Sequence, residues 1–173
     1  MKQHQLHNFI SASKIQKKVR SLSRRISGDY RKKKPLIVGV LNGVFIFMSD
    51  LIRHLDIPVH IDFIKVSSYG SGTVSSGKIR VLLDIVQPVK GKDVLIVDDI
   101  IDTGLTISHI RRMLLRQKPR SIKVCTLLDK PNQRKVNVRI DYCGFKIPSK
   151  FVVGYGMDFN ERYRSLSDIR YLK

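Results

Sequence analysis

Residues 94–106 read VLIVDDIIDTGLT, and no other stretch limits so strongly what this chain can fold into. Val94, Leu95, Ile96 and Val97 form a continuous apolar run, the pattern of a strand covered on both faces of a parallel sheet. Two adjacent acids, Asp98 and Asp99, arrive where that strand is expected to end. Ile107, Ile110, Met113 and Leu114 then share one face of an expected helix. Asp102, Thr103, Gly104 and Thr106 lie between strand and helix.

That arrangement has a physical use. In an open α/β sheet, ligands settle beyond the carboxyl ends of the strands. Gly104 accepts backbone angles that other residues resist, and the helix start offers unpaired N–H groups and partial positive charge to a phosphate. Thr103 and Thr106 add hydroxyl donors. Asp98 and Asp99 would repel a phosphate; they suit the vicinal hydroxyls of a ribose, or a divalent cation. Together the segment is fit to hold a sugar phosphate, with phosphate at the helix and sugar at the acids.

The same residues closely resemble the 5-phosphoribosyl pyrophosphate (PRPP) motif of the type I phosphoribosyltransferases. The resemblance implies an α/β fold of that type: a central, mostly parallel sheet flanked by helices, with a small hood lobe. It implies 5′-phosphate binding by Asp102, Thr103, Gly104, Leu105 and Thr106, and Mg²⁺ and ribose hydroxyls beside Asp98 and Asp99.

Length and composition agree with one soluble domain over residues 1–173. No apolar run is long enough to span a membrane, and the N-terminus lacks the apolar core of a signal peptide. Cys125 and Cys143 sit among apolar neighbours and read as two buried thiols in a reducing compartment, so a cytoplasmic protein is expected. The net charge of +19 is unevenly spread: residues 1–35 carry eleven bases and one acid, residues 116–150 ten bases and two acids, and residues 36–115 balance. The excess flanks the expected catalytic middle. It would attract polyanions, although basic residues on solvated faces account for it more simply.

Ile15, Val19, Leu22 and Ile26 recur at helical spacing, with Ser13 as a candidate cap. Strands are expected at Leu36–Leu41, Val59–Ser68, Ile79–Leu83, Asp93–Val97 and Ser121–Leu128, with shorter apolar runs between Tyr142 and Val153. Helices are expected at Val44–Leu55 and Ile107–Leu115. In the strand from Val59, Ile61, Phe63 and Lys65 fall on one alternating face. Residues 69–78, YGSGTVSSGK, are Gly- and Ser-rich and read as a mobile loop. His4 and His7 could share a helix face, but all the histidines read as structural or exposed.

Four further segments resemble the hypoxanthine-guanine (6-oxopurine) phosphoribosyltransferases, a resemblance spanning roughly Ile15 to Leu166. Leu41, Asn42 and Gly43 match a turn that receives pyrophosphate on backbone amides, often through a non-proline cis peptide; many members carry Lys where this chain has Asn42. Ser68 and Tyr69 match a Ser-Tyr pair in a flexible lid, over about 69–78, that closes on pyrophosphate. Lys130 matches a lysine that binds the 6-oxo group of the purine. In Lys150–Asp158 (KFVVGYGMD), Phe151 matches a ring stacked on the purine and the backbone beside Val152 pairs with its edge. Asp158 matches a contact to a second Mg²⁺, and Arg164 a pyrophosphate contact. Met157 departs from the family pattern. The N-terminal helix and C-terminal segment are expected to contribute to the hood.

The expected activity is purine salvage: 6-oxopurine plus PRPP gives the nucleoside 5′-monophosphate and pyrophosphate. Asp102 would act as general base at the purine N7 or would fix the tautomer of the base. A homo-oligomer, dimer or tetramer, is implied by the family. The alternative from another class is a regulator on this fold that senses PRPP and binds nucleic acid, supported by the charge and opposed by Asp102, Lys130 and the Phe151–Asp158 match.

Overall fold

A computed structural model describes residues 5–68 and 79–173. In chain order these form β1 (Leu6–Ile10), α1 (Ala12–Asp29), β2 (Leu36–Leu41), α2 (Phe45–Arg53), β3 (His60–Ser68) and β4 (Ile79–Leu83). There follow β5 (Asp93–Ile101), α3 (Leu105–Arg116), β6 (Ser121–Asp129), β7 (Tyr142–Lys146), β8 (Val152–Val153) and β9 (Ile169–Leu172), with a 3₁₀ turn at Pro131–Gln133.

Six strands make the main sheet in the order β4-β3-β2-β5-β6-β7. All neighbours are parallel except β3–β4. The apolar runs explain this. Leu36 to Val40 and Val94 to Val97 are buried continuously, as strands packed on both faces must be. One face, with Ile37, Leu95 and Val97, meets Ile15, Val19, Leu22 and Ile26 of α1 and Phe47, Met48 and Leu51 of α2. The other face, with Val38, Val94 and Ile96, meets Ile107, Ile110 and Leu114 of α3. A second, three-stranded antiparallel sheet, β1-β9-β8, forms the small lobe.

Several expectations need correction. The strand over the acids does not stop at Val97; it runs to Ile101, because β5 keeps pairing with β6 as far as Ile101↔Asp129 after its pairing with β2 has ended at Gly39↔Val97. The residue preceding α1 is Ser11, and Ser13 lies inside the helix with its hydroxyl 3.2 Å from that of Ser11. His7 lies in β1, not on a helix, stacked 5.1 Å from the Tyr171 ring. Cys125 is buried but Cys143 only partly so. The N-terminal part of the small lobe is strand β1, whereas α1 packs against the main sheet. The loop 69–78 lies outside the described residues.

Candidate active site

The chain leaves β2 for β3 on one side of the sheet and leaves β5 for β6 on the other, so β2 and β5 flank a topological switch point. Crevices for ligands open there, beyond the carboxyl ends of the strands. The registers show how this one opens. The last β2–β5 partners are Gly39 and Val97, so Asp98 and Asp99 stand just past the point where the two strands part. The peptide between Leu41 and Asn42, at the end of β2, is cis. Gly43 then passes so close to β5 that an added Cβ would lie 2.1 Å from Asp99 Oδ2.

A cavity of about 410 Å³ occupies this crevice, lined by residues from both halves of the sheet and from the small lobe. It gathers Leu41, Asn42 and Gly43 from the β2 turn, Asp99 and Asp102 from the β5 end, and Lys130 from the end of β6. Phe151, Val152, Asp158 and Arg164 close it from the C-terminal side. An adjoining cavity of about 320 Å³ shares Asn42, Gly43 and Asp99 and adds Asp98 and Thr106. Thr103, Gly104 and Leu105 line neither space; they build the start of α3. Ser68 closes β3, and Tyr69 lies outside the described residues.

Gly104 adopts the left-handed conformation, φ 82°, directly ahead of α3. The Thr103 hydroxyl accepts a 3.4 Å bond from the Leu105 amide. A threonine hydroxyl and backbone N–H groups thus meet at the helix start, where the macrodipole favours an anion. An added Cβ at Gly104 would approach the Val136 carbonyl and the Arg134 and Val138 side chains at 3.0 Å, so the tight turn needs glycine on two counts.

Asp98 and Asp99 are buried, and no cation pairs with either within salt-bridge distance among the described residues. Burial, reinforced by the charge of Asp99, pushes the Asp98 carboxyl well above the usual carboxylate value, and burial raises Asp99 as well. Arg164 acts on Asp99 in the opposite direction. Such a pair is a strong attractor for a cation. Its oxygen donors suit a hard divalent ion, and with no cluster of three His, Cys, Asp or Glu side chains among the described residues, water and substrate oxygens would have to complete the shell, as Mg²⁺ prefers.

Lys130 is 8% exposed, not the surface charge that a lone lysine suggests. Its ammonium lies 3.6 Å from Asp102 Oδ2. The other Asp102 oxygen is buried without a hydrogen-bond partner among the described residues. Arg134 fixes the Asp102 backbone by donating to its carbonyl oxygen while pairing with buried Asp129. Phe151, 52% exposed, turns its ring toward the cavity, with the Phe159 ring edge-on at 5.5 Å. Asp158 pairs with Arg164 at 2.9 Å and accepts the Glu161 amide at 2.9 Å.

Lys65, Val66, Ile100 and Arg134 were not among the site residues expected from sequence, yet the first three line the cavity. Lys65 carried a readable signal, since it ends the apolar face begun by Ile61 and Phe63. Arg134 carried none, for its partners are brought to it by the β5–β6 pairing.

Comparison with known proteins agrees with this geometry. Residues 8–160 match the family model "Phosphoribosyl transferase domain". The hypoxanthine-guanine phosphoribosyltransferase of Bacillus subtilis is 48% identical over 165 residues, 95% of this chain and 92% of that protein. That of Mycobacterium tuberculosis is 46% identical over 167 residues, 93% and 83% of the two chains. The crystal structure of a hypoxanthine phosphoribosyltransferase from Staphylococcus aureus superposes with a TM-score of 0.93 at 42% identity, covering 96% of this chain and 91% of that one. This chain belongs to the phosphoribosyltransferase family, on the hypoxanthine-guanine branch that these relatives represent.

Proposed function

We propose that the chain transfers the 5-phosphoribosyl group of PRPP to hypoxanthine or guanine, giving the purine nucleoside 5′-monophosphate and pyrophosphate. The observation that carries the choice of base is the pairing of Lys130 with Asp102, 3.6 Å apart beside the exposed Phe151 ring. A 6-oxopurine presents its O6 and N7 on a single edge. An ammonium and a carboxylate side by side meet that edge, Lys130 donating to O6 and Asp102 accepting from N7–H. Adenine would present a 6-amino donor to a donor, leaving both without partners.

The remaining residues take roles that follow from their places. The Phe151 ring stacks on the purine face, braced by Phe159. The start of α3, with Thr103 through Thr106, takes the 5′-phosphate. Asp98 and Asp99 accept from the ribose hydroxyls and would hold one Mg²⁺, Asp158 across the cavity would touch a second, and the metal when bound neutralises charge on the departing pyrophosphate. Leu41, Asn42 and Gly43, with Arg164, face that leaving group. As N9 of the base bonds to C1′, the C1′–O bond to pyrophosphate breaks and the N7 proton passes to the Asp102 carboxylate. Much of the rate comes from holding base and sugar in line.

A homo-oligomer and a cytoplasmic site of action accompany this reading. The exposed apolar side chains Phe45, Ile61, Leu82 and Leu83 on α2, β3 and β4 support the first, and the free thiols Cys125 and Cys143 the second.

Product formation from PRPP and Mg²⁺, measured separately with hypoxanthine, guanine, xanthine, adenine and uracil, tests the reading. Turnover with hypoxanthine or guanine, and none with adenine or uracil, is expected. Folded protein that binds PRPP and turns over none of the five would contradict it.

A further inference from the structure

Among the described residues, three cations line the main cavity: Lys65, Lys130 and Arg164. Two are already committed. Lys130 pairs with Asp102, and Arg164 pairs with Asp158 and Glu161 and donates to the Gly156 carbonyl. Lys65 has neither a carboxylate nor a hydrogen-bond partner among the described residues. A half-buried lysine with no such partner, lining a concave site, is a group waiting for an anion.

Its position says which anion. The ends of the strands lie side by side in the order β3, β2, β5, β6, so the cavity runs from Lys65 past the Leu41–Gly43 turn and Asp99 to Asp102 and Lys130. Lys65 is the register partner of Leu41. It shares a strand face with Phe63, whose ring lies beside Gly39 on the α2 side of the sheet, and Asp99 stands against the Gly43 turn that leads into α2. The base-reading pair stands at the β6 end. In an in-line displacement the incoming base and the departing pyrophosphate occupy opposite sides of C1′. With the base at β6, the leaving group lies toward β2 and β3.

That end needs positive charge. Asp98, Asp99 and Asp158 are close by, Arg164 is shared with two acids, and the Asn42 side chain brings no charge to the turn. Beside the Mg²⁺ that these acids would hold, a multiply charged pyrophosphate gains further from a cation that no carboxylate claims, and among the described lining residues Lys65 is that cation.

We propose that Lys65 is a binding residue for the pyrophosphate group of PRPP, a role that rests on the phosphoribosyl-transfer reading above. It supplies from β3 the charge that Asn42 does not supply from the β2 turn. Its effect falls on affinity for PRPP and for product pyrophosphate, not on affinity for the base.

Steady-state kinetics of Lys65→Gln and Lys65→Arg against wild type provide the test, with exposed Lys17→Gln as a control for simple loss of charge. Lys65→Gln is expected to raise the KM for PRPP and the inhibition constant of pyrophosphate each about tenfold, as loss of a charge-assisted contact does. The KM for hypoxanthine should stay within about twofold, Lys65→Arg should recover most of the affinity, and Lys17→Gln should match wild type. A PRPP KM and a pyrophosphate constant both within about twofold of wild type in Lys65→Gln would overturn the proposal. So would a rise in hypoxanthine KM equal to that for PRPP. If Lys65→Gln loses its cooperative thermal transition, Lys65→Met keeps the apolar stem and the same comparisons decide. Wild-type protein inactive with every base would overturn the transfer reading instead; calorimetric titration with pyrophosphate, weaker in the variant or not, would then judge Lys65 separately.

Discussion

The Lys130 ammonium lies 3.6 Å from Asp102 Oδ2, joining the residue that follows β6 to the loop that follows β5. Both strands are parallel neighbours, paired to Ile101↔Asp129, so their ends project the two side chains from adjacent positions. The Lys130 amide also donates to the Ile101 carbonyl at 3.0 Å, and Arg134 secures the Asp102 carbonyl. The backbones that carry both charges are thereby held at the end of the sheet.

Asp102→Asn keeps the size and one acceptor of the side chain but cannot take a proton at neutral pH. If Asp102 is the base at N7, kcat should fall about 10²- to 10⁴-fold while the KM for PRPP changes little. Steady-state kinetics with saturating PRPP measures this. Unchanged turnover would remove Asp102 from the chemistry.

Gly43→Ala places a methyl group where Asp99 Oδ2 now stands, at 2.1 Å. Asp99 has to move, since the three atoms nearest the new methyl group all belong to its carboxyl. Turnover should fall roughly 100-fold, the scale of a misplacement of about 1 Å in an aligned site. The far-ultraviolet circular dichroism spectrum should match wild type, because the change lies beyond the paired part of β2. Near-normal turnover would show that the close approach of Gly43 to Asp99 has no bearing on the reaction.

Stability at acid pH should depend on Asp93, far from the site at the start of β5. Asp93 is 2% exposed, accepts from the Arg120 guanidinium and takes a 2.6 Å bond from the Ser121 hydroxyl. The Arg120 hydrogen bond, above all, holds its carboxyl below the ordinary value of 3.8. A depressed folded-state value means stability that is present above the unfolded value and lost as pH falls through the folded one. Asp93→Asn should therefore melt a few degrees below wild type at pH 7, with the gap closing as pH drops below 3.8. A gap that widened on acidification would contradict this sign.

Much of this could be read from the amino acids, and the reasons differ by element. β2 and the first part of β5 announce themselves because a strand buried on both faces must be apolar throughout. The α1 and α3 faces follow from spacing, and Gly104 from the turn it must make. The extension of β5 through Asp98 and Asp99 was not legible, because polar residues continue the strand only by virtue of β6 alongside. β1 and β9 were equally silent: LHNFI and IRYL are short, mixed in polarity, and pair across nearly the whole chain, Leu6 with Leu172. The burial of Lys130 depends on Asp102, nearly thirty positions earlier in the chain. Its identity was legible through family resemblance, but its ion pair was not. Lys65 was visible as a break in an apolar face, yet only the registry with Leu41 puts it at the cavity.

The most direct test of the account is the comparison of kcat/KM for hypoxanthine and guanine with that for adenine, in wild type and in Lys130→Gln. Wild type should use the 6-oxopurines and reject adenine by about 10⁴-fold or more, the discrimination that buried groups left unpaired can impose. Lys130→Gln should lose most of its 6-oxopurine activity, and its preference should narrow, since a side-chain amide both donates and accepts. A Lys130→Gln enzyme that keeps wild-type efficiency and selectivity would show that the Lys130–Asp102 pair does not read the base.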